Sequence, residues 1–166
     1  LGLPGLRCGI VIANEEMTAA ITNLNGIINL APGSMGPAIG LHMIESGDLL
    51  RLSEEVIQPF YRHKSQAAVK MLQTAITDPR FRIHKPEGAI FLWLWFDELP
   101  ITTMELYKRL KARGVLIVPG EYFFIGQDDS WEHAHQCLRM NYVQDEDMMQ
   151  KGINIIAEEV LKAYSE

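Results

Sequence analysis

The feature that most constrains this chain is a long helical repeat between residues 49 and 77. Apolar side chains recur there at helical spacing, at Leu49, Leu52, Val56, Phe60, Ala67, Met71 and Ala75. The repeat predicts one helix of about 28 residues, or two helices, with Pro59 inside it. Proline lacks a backbone donor and clashes with the preceding turn, so we expect a kink at Pro59. A helix this long is better suited to connect two domains than to pack within one.

Shorter elements are expected before this helix. Residues 7–13 are apolar after Arg7 and are typical of a short buried strand. Residues 15–25 are typical of a helix with Asn14 as its N-cap. A glycine- and proline-rich stretch follows, and a further helix is expected to end near Ser46.

After the long helix the pattern changes, because strands and helices alternate. We predict strands at residues 81–84, 89–96, 115–118 and 137–143, and helices at residues 101–114 and 145–164. These elements would form a compact α/β unit of about four strands and two helices. The chain is therefore expected to be α/β in three parts, residues 1–48, 49–78 and 79–166.

Composition narrows the class of protein. The chain has 166 residues, is 48% hydrophobic and carries a formal net charge of −6, so a packed core is expected. The basic residues are scattered rather than clustered, which argues against nucleic acid as a partner. The longest apolar run, residues 89–96, is far shorter than the roughly 20 residues of a membrane span. No signal-peptide pattern precedes the first strand, so a cytoplasmic location is expected.

Metal and nucleophile signals are weak. Cys8 and Cys137 lie in apolar, strand-like contexts and are predicted to be buried, reduced thiols. The pair His133 and His135 has no third ligand at suitable spacing, so we predict no metal site. No lysine is in a context that marks a nucleophile. The following lysines are predicted to lie on solvated helix faces: Lys64, Lys70, Lys108 and Lys111.

Arg139 is the most informative single residue. In the strand expected at residues 137–143, Cys137, Arg139 and Asn141 share one face, and the opposite face is apolar. An unpaired buried charge costs several kcal/mol, so the guanidinium needs a partner. Three arrangements would meet this need: an ion pair with an internal carboxylate, a position on an exposed sheet face, or binding of the carboxylate of a ligand. The planar fork of arginine matches a carboxylate in geometry.

Arg7 follows a loop of glycines and a proline at the head of a strand. Anion sites often combine such a loop, backbone donors and a cation, so Arg7 is a candidate phosphate ligand. The loop sequence LGLPG is neither a Walker loop nor a dinucleotide fingerprint. An ordinary loop arginine is the alternative interpretation.

Four stretches together resemble a known family. LPGLRCG, KPEGAIFLWLWF, RGVLIVPGEYF and CLRMNYV stand in this order, at residues 3–9, 85–96, 113–123 and 137–143. They are similar to segments of the class I/II aminotransferases, which are pyridoxal-phosphate enzymes of fold type I. The resemblance covers essentially the whole chain. It implies the C-terminal part of that fold: the end of the large cofactor domain, a long interdomain helix and a small α/β domain.

The resemblance also implies roles for the two arginines. In the family, an arginine about eight residues after the Schiff-base lysine holds the cofactor phosphate, and Arg7 matches it. The closing strand carries an arginine that binds the substrate α-carboxylate, and Arg139 matches it. The lysine would lie before residue 1. No catalytic residue is therefore expected in this chain, and the 166 residues alone are expected to be inactive.

The implied activity is amino transfer between an amino acid and a 2-oxo acid, in amino acid biosynthesis. Residues 1–14, 84–96 and 109–120 are most similar to family members that exchange an amino group between valine and pyruvate, giving alanine and 2-oxoisovalerate. Pyridoxal 5'-phosphate is the implied cofactor, and the full-length enzyme is expected to be a homodimer.

Three alternatives remain open at this point. The first is another α-amino acid aminotransferase, or a β-lyase, on the same scaffold. The second is a non-enzymatic regulator that keeps an aminotransferase-like domain as a sensor. The third is a stand-alone interaction module, in which Arg139 would be paired internally and residues 1–14 would be packed within the chain.

Overall fold

The structure, a computed structural model, describes residues 8–30, 33–128 and 130–166. Arg7, and with it the prediction of a phosphate ligand, lies outside the described residues. The chain divides into two compact units, with the boundary between Gln58 and Pro59. The assignment of residues 1–48, 49–78 and 79–166 to three parts of an aminotransferase stays a prediction.

The described residues form six α-helices and four strands. The helices are α1 (Glu15–Asn29), α2 (Met35–Glu45), α3 (Asp48–Leu52), α4 (Gln58–Ala75), α5 (Thr103–Ala112) and α6 (Glu146–Ala163). The strands are β1 (Phe81–Ile83), β2 (Phe91–Phe96), β3 (Val118–Pro119) and β4 (Cys137–Asn141). Shorter turns are a π-helical segment (Ser53–Ile57) and two 3₁₀ turns (Gly120–Phe123 and Glu132–Gln136). No helix in the described part of the chain is both long and apolar enough to span a membrane.

The described residues of the first unit form helices, and Gly36 is the only one of these residues that is buried. Asn14 caps α1 as predicted, since its side chain accepts a hydrogen bond from the Met17 backbone N–H. The strand predicted at residues 7–13 is wrong for its described part, because residues 8–14 have no regular structure and are exposed. A strand needs a neighbour for its backbone groups, and no described strand pairs with this segment. Cys8 is accordingly exposed, and its predicted burial is wrong.

The long helical repeat does form helix, and its irregularity precedes Pro59. Residues 48–75 are helical throughout, as α3, the π-helical segment and α4 in succession. The Gln58 N–H donates to the Ser53 carbonyl, five residues back. A proline ring clashes with the carbonyl four residues before it, and a widened π turn relieves such a clash. The disturbance predicted at Pro59 thus appears as this segment.

The second unit contains the core. Its sheet has the order β1-β2-β4-β3, with every neighbouring pair antiparallel. One sheet face packs on helices that each present a buried apolar stripe. The core includes Ala68 and Leu72 of α4, Leu106 and Leu110 of α5, Ile153, Ile156 and Val160 of α6, and Leu92, Leu94, Phe96, Leu138 and Met140 of the sheet. The predicted number of elements after residue 79, four strands and two helices, is confirmed.

The strand predicted at residues 115–118 is mostly wrong, because only Val118–Pro119 pairs with β4. The residues before it complete the end of α5 instead. Gly114 has a φ of 82°, and the Val115 N–H donates to the Leu110 carbonyl at 2.9 Å. This Schellman-type ending uses the backbone donor that a strand would need.

Candidate functional site

Arg139 lies in the middle of β4, between two neighbouring strands. It stands opposite Trp93 of β2 and Val118 of β3. Leu138 and Met140 point into the core, so the predicted alternation along this strand is confirmed. The sheet face that carries Arg139 is therefore the one turned away from the helices.

The guanidinium of Arg139 lies against two phenylalanine rings. Its central carbon is 4.1 Å from the ring centroid of Phe91 and 4.8 Å from that of Phe123. The Nε atom is buried without a hydrogen-bond partner in the described part of the chain. No ion pair formed by residues 8–30, 33–128 or 130–166 includes Arg139. A half-buried arginine held in this way is suited to bind a carboxylate that comes from elsewhere.

The nearby carboxylate of Glu121 is engaged with another residue. Its Oε1 atom lies 3.0 Å from His135 Nδ1. Glu121 belongs to the same 3₁₀ turn as Phe123, two residues earlier in the chain. The carboxylate of the turn that places an aromatic ring beside Arg139 thus lies against His135.

A close backbone approach positions this turn. A Cβ atom added to Gly120 would lie 2.7 Å from both the Cβ and the carbonyl oxygen of Cys137. Such a contact is shorter than any real side chain tolerates, so only glycine fits here. Gly120 lets the chain leave β3 tightly against β4, which places Phe123 beside Arg139.

Further aromatic side chains extend this face, and we call the following set the aromatic wall: Trp93, Trp95, Phe123, Phe124, Trp131 and His133. Their rings meet mostly edge to face, with centroids 4.9 to 5.8 Å apart. This is the preferred geometry of aromatic pairs. The wall is partly open, since Trp131 and Phe123 are exposed.

Cys137 lies buried at the base of the aromatic wall. Its Sγ atom is 3.4 Å from His133 Nε2. Burial raises the pKa of the Cys137 thiol to about 11, so the thiol is protonated at neutral pH. The predicted burial of Cys137 is confirmed, and the thiol is not a nucleophile in this state.

Several partners of Arg139 escaped the sequence analysis. The period-two rule found the face of Arg139 on β4, but the register that brings Phe91 of β2 near it is not readable from one strand. Phe123 lies outside the strands, in a turn that no repeat predicts. Two signals were available: the aromatic residues of β2, which alternate with core residues, and the stretch EYFF at residues 121–124, which follows the end of a strand, where loops often line clefts.

The sequence matches the aminotransferase class I and II family over residues 1–156. The chain belongs to the class I and II aminotransferases. It is 58% identical over its whole length to the valine–pyruvate aminotransferase of Escherichia coli (strain K12). The crystal structure of the valine–pyruvate aminotransferase of Salmonella typhimurium LT2 matches 99% of the chain with a TM-score of 0.88 and 59% identity.

The match covers only part of these relatives. The chain spans 40% of the Escherichia coli protein and 42% of the Salmonella structure. The α-aminoadipate aminotransferase of Thermus thermophilus, crystallised with N-(5'-phosphopyridoxyl)-L-leucine, is 21% identical with a TM-score of 0.77 and shares the fold over 98% of this chain and 40% of its own. The predicted fold class, the C-terminal part of a fold-type I enzyme, is confirmed.

The two arginines differ in what the structure shows of them. Pyridoxal phosphate is implied by the family, but Arg7 is not among the described residues, so its contact with the cofactor phosphate stays a prediction. Arg139 forms no ion pair within the described residues, and its planar fork matches the geometry of a carboxylate, so its role at the substrate also stays a prediction.

Proposed function

We propose that this chain is the C-terminal part of an enzyme that transfers an amino group between valine and pyruvate, forming alanine and 2-oxoisovalerate. The observation that carries the proposal is the guanidinium of Arg139, which lies against two rings and has no carboxylate partner within the described residues. The 58% identity to a valine–pyruvate aminotransferase supports the choice of substrates.

Arg139 would bind the group that all four reactants share. Valine, alanine and both 2-oxo acids carry an α-carboxylate, so one arginine can serve both half-reactions. Bidentate binding fixes the plane of the carboxylate and thereby orients the reacting α-carbon. The rings beside the guanidinium would shield part of it from water, which would strengthen the attraction between the two charges.

Pyridoxal phosphate, when bound, supplies the electron sink for the transfer. Arg7 would hold its phosphate, and residues 1–48 would belong to the large domain, 49–78 to the connecting helix and 79–166 to the small domain. Because the resemblance places the Schiff-base lysine before residue 1, the 166 residues alone should show no turnover. Mixing the chain with the cofactor should give no stable shift of the visible absorbance band, and a stable shift would contradict this.

The test of Arg139 uses the full-length protein with valine and pyruvate. Arg139→Ala should lower kcat/KM by a factor of about 10² to 10³ or more, because a bound carboxylate loses its charged partner. Arg139→Lys should retain only part of the activity, since an ammonium keeps the charge but lacks the planar fork.

Arg82→Ala is a matched control for this experiment. Arg82 is also a strand arginine that lies over an aromatic ring, that of Trp95, but it is exposed and lies 3.4 Å from Asp97. Arg82→Ala should therefore leave kcat/KM within about twofold of the value for the unmodified protein. If Arg139→Ala lowers kcat/KM by less than tenfold, in a variant whose unfolding transition matches that of the unmodified protein, Arg139 is a structural residue.

The structure disfavours the stand-alone module. That alternative predicts an internal partner for Arg139 and packing of residues 1–14. Residues 8–14 are exposed, with Ile12 at 96% exposure, and Arg139 has no carboxylate partner in the described part of the chain. Assays with a panel of amino acids separate the proposed enzyme from other aminotransferases, from a β-lyase and from a regulator without activity. The full-length enzyme is proposed to be a homodimer and to be cytoplasmic. Sedimentation of the purified protein would test the oligomeric state.

A further inference from the structure

We propose that Phe91 and Phe123 are positioning residues that cover the guanidinium of Arg139 and make the site selective for planar carboxylates over tetrahedral anions. The inference rests on the proposed function, because it concerns how the same arginine receives a substrate carboxylate. It gives a role to the two aromatic side chains that lie against the guanidinium of Arg139.

The two rings reach Arg139 from different elements. Phe91 begins β2 and stands opposite Asn141, so it is the diagonal neighbour of Arg139 across the two strands. Phe123 ends the 3₁₀ turn that Gly120 holds against Cys137. Neither position depends on a ligand, since a strand register and a backbone approach fix them.

The rings act through the shape of the guanidinium. A guanidinium is planar, and its faces stack on aromatic rings while its hydrogen-bond donors lie in its plane. The central carbon lies within 4.8 Å of both ring centroids, and in the proposed arrangement the rings cover its faces, so that a ligand approaches along an edge. The Nε atom is buried, so the edge formed by the two Nη atoms is the one left for a ligand.

Edge-on approach separates two classes of anion. The two oxygens of a carboxylate lie in one plane and can pair with the Nη edge while staying in the plane of the fork. A sulfonate has a third oxygen outside any such plane, and that oxygen would be directed toward a ring. The covered faces should therefore favour carboxylates over sulfonates of the same charge and carbon skeleton.

The test measures binding and kinetics in the full-length protein. Isovalerate, which is valine without its amino group, and 2-methylpropane-1-sulfonate are titrated by calorimetry. The unmodified protein should bind isovalerate about tenfold or more tightly than the sulfonate. Phe91→Leu and Phe123→Leu, which keep an apolar side chain without a ring, should each reduce that preference by about fivefold.

Kinetics distinguish positioning from a purely structural role. Phe91→Leu and Phe123→Leu should raise KM for valine and pyruvate by about fivefold with little change in kcat, because uniform binding is lost. Phe91→Tyr should restore both KM and the anion preference, since it keeps the ring. Phe124→Leu is the matched control, because Phe124 belongs to the aromatic wall but contacts Trp93, Trp131 and His133 rather than Arg139.

The outcomes separate the two proposals. If the leucine variants keep the anion preference and KM within twofold of the unmodified protein, the positioning role is overturned while the proposed function stands. If the unmodified protein does not exchange amino groups between valine and pyruvate, the proposed function fails. Should Phe91→Leu not fold, Phe123→Leu decides, because Phe123 is 43% exposed and outside the core.

Discussion

The two units of this chain use their apolar residues in opposite ways. From Pro59 onward, leucine and isoleucine side chains such as Leu106, Leu138 and Ile153 are fully buried. Among the described residues up to Gln58, the only buried residue is Gly36. Helix α1 nevertheless carries a regular apolar stripe, at Met17, Ile21, Leu24 and Ile28.

The difference shows which parts of the fold are specified locally. Helix α1 has an N-cap and an apolar face at helical spacing, which suffice for a helix but not for a core. The second unit adds tertiary partners, because its sheet is covered by three helices of the same chain. This chain spans about 40% of the aminotransferases that it matches, and the stripe on α1 is of the kind that packs against further protein.

The largest expected effect is on the free energy of unfolding, when a leucine of the second unit is truncated and the result is compared with the same change in the first unit. Leu138→Ala should lower the free energy of unfolding by about 2–5 kcal/mol, because it removes a fully buried side chain from the sheet. Leu24→Ala, at a position that is 56% exposed in α1, should change it by less than about 0.5 kcal/mol. Urea unfolding of the 166-residue chain measures both. Equal losses would mean that the two units share one core.

Two helix caps with the same geometry give a smaller effect. Asp145 and Asn14 each accept a backbone N–H bond of 2.9 Å, at the start of α6 and α1 respectively. Asp145→Ala should cost about 1 kcal/mol in the cooperative unfolding transition, because α6 is part of the core. Asn14→Ala should leave that transition unchanged and reduce only helical circular dichroism. If Asn14→Ala shifts the transition as much as Asp145→Ala does, the contrast between the units is wrong.

The smallest expected effect is a pH dependence. Hydrogen bonds from the Arg80 side chain and backbone lower the pKa of Asp78 to about 2, from an ordinary value of 3.8. A carboxyl whose pKa is lower in the folded state stabilises the fold above its unfolded pKa. That contribution is lost as the pH falls from about 4 to about 2.

Asp78→Asn should therefore flatten the loss of stability in this pH window, as measured by urea unfolding at each pH. Asp48→Asn is the control in the first unit, because Arg51 lowers the pKa of Asp48 in a similar way. It should leave the transition of the second unit unchanged. A pH profile that is identical for Asp78→Asn and the unmodified chain would contradict the assignment.

The sequence predicted well those features whose signals are local. The N-cap Asn14 and the alternation around Arg139 both follow from spacing of a few residues, and the structure confirms them. The strand at residues 7–13 failed because a strand is specified by its neighbours as much as by its own residues.

Contacts between distant residues were beyond the sequence analysis. Lys64 was predicted to be solvated, yet its Nζ donates to the carbonyls of Val143 and Gln144 at 2.9 and 2.7 Å. The rings beside Arg139 come from a strand register and a 3₁₀ turn that the periodicity does not reveal. The sequence thus singled out Arg139 as the candidate carboxylate ligand, and the structure added which rings lie against it.

Hydrogen exchange of the 166-residue chain tests the central contrast most directly. If the second unit holds the core, and Arg139 with it, amides of β2, β4 and α6 should exchange slowest and as one group. Amides of α1 should exchange close to the rate of an unfolded peptide. Protection of α1 equal to that of α6 would contradict the account, because it would show a core shared by both units.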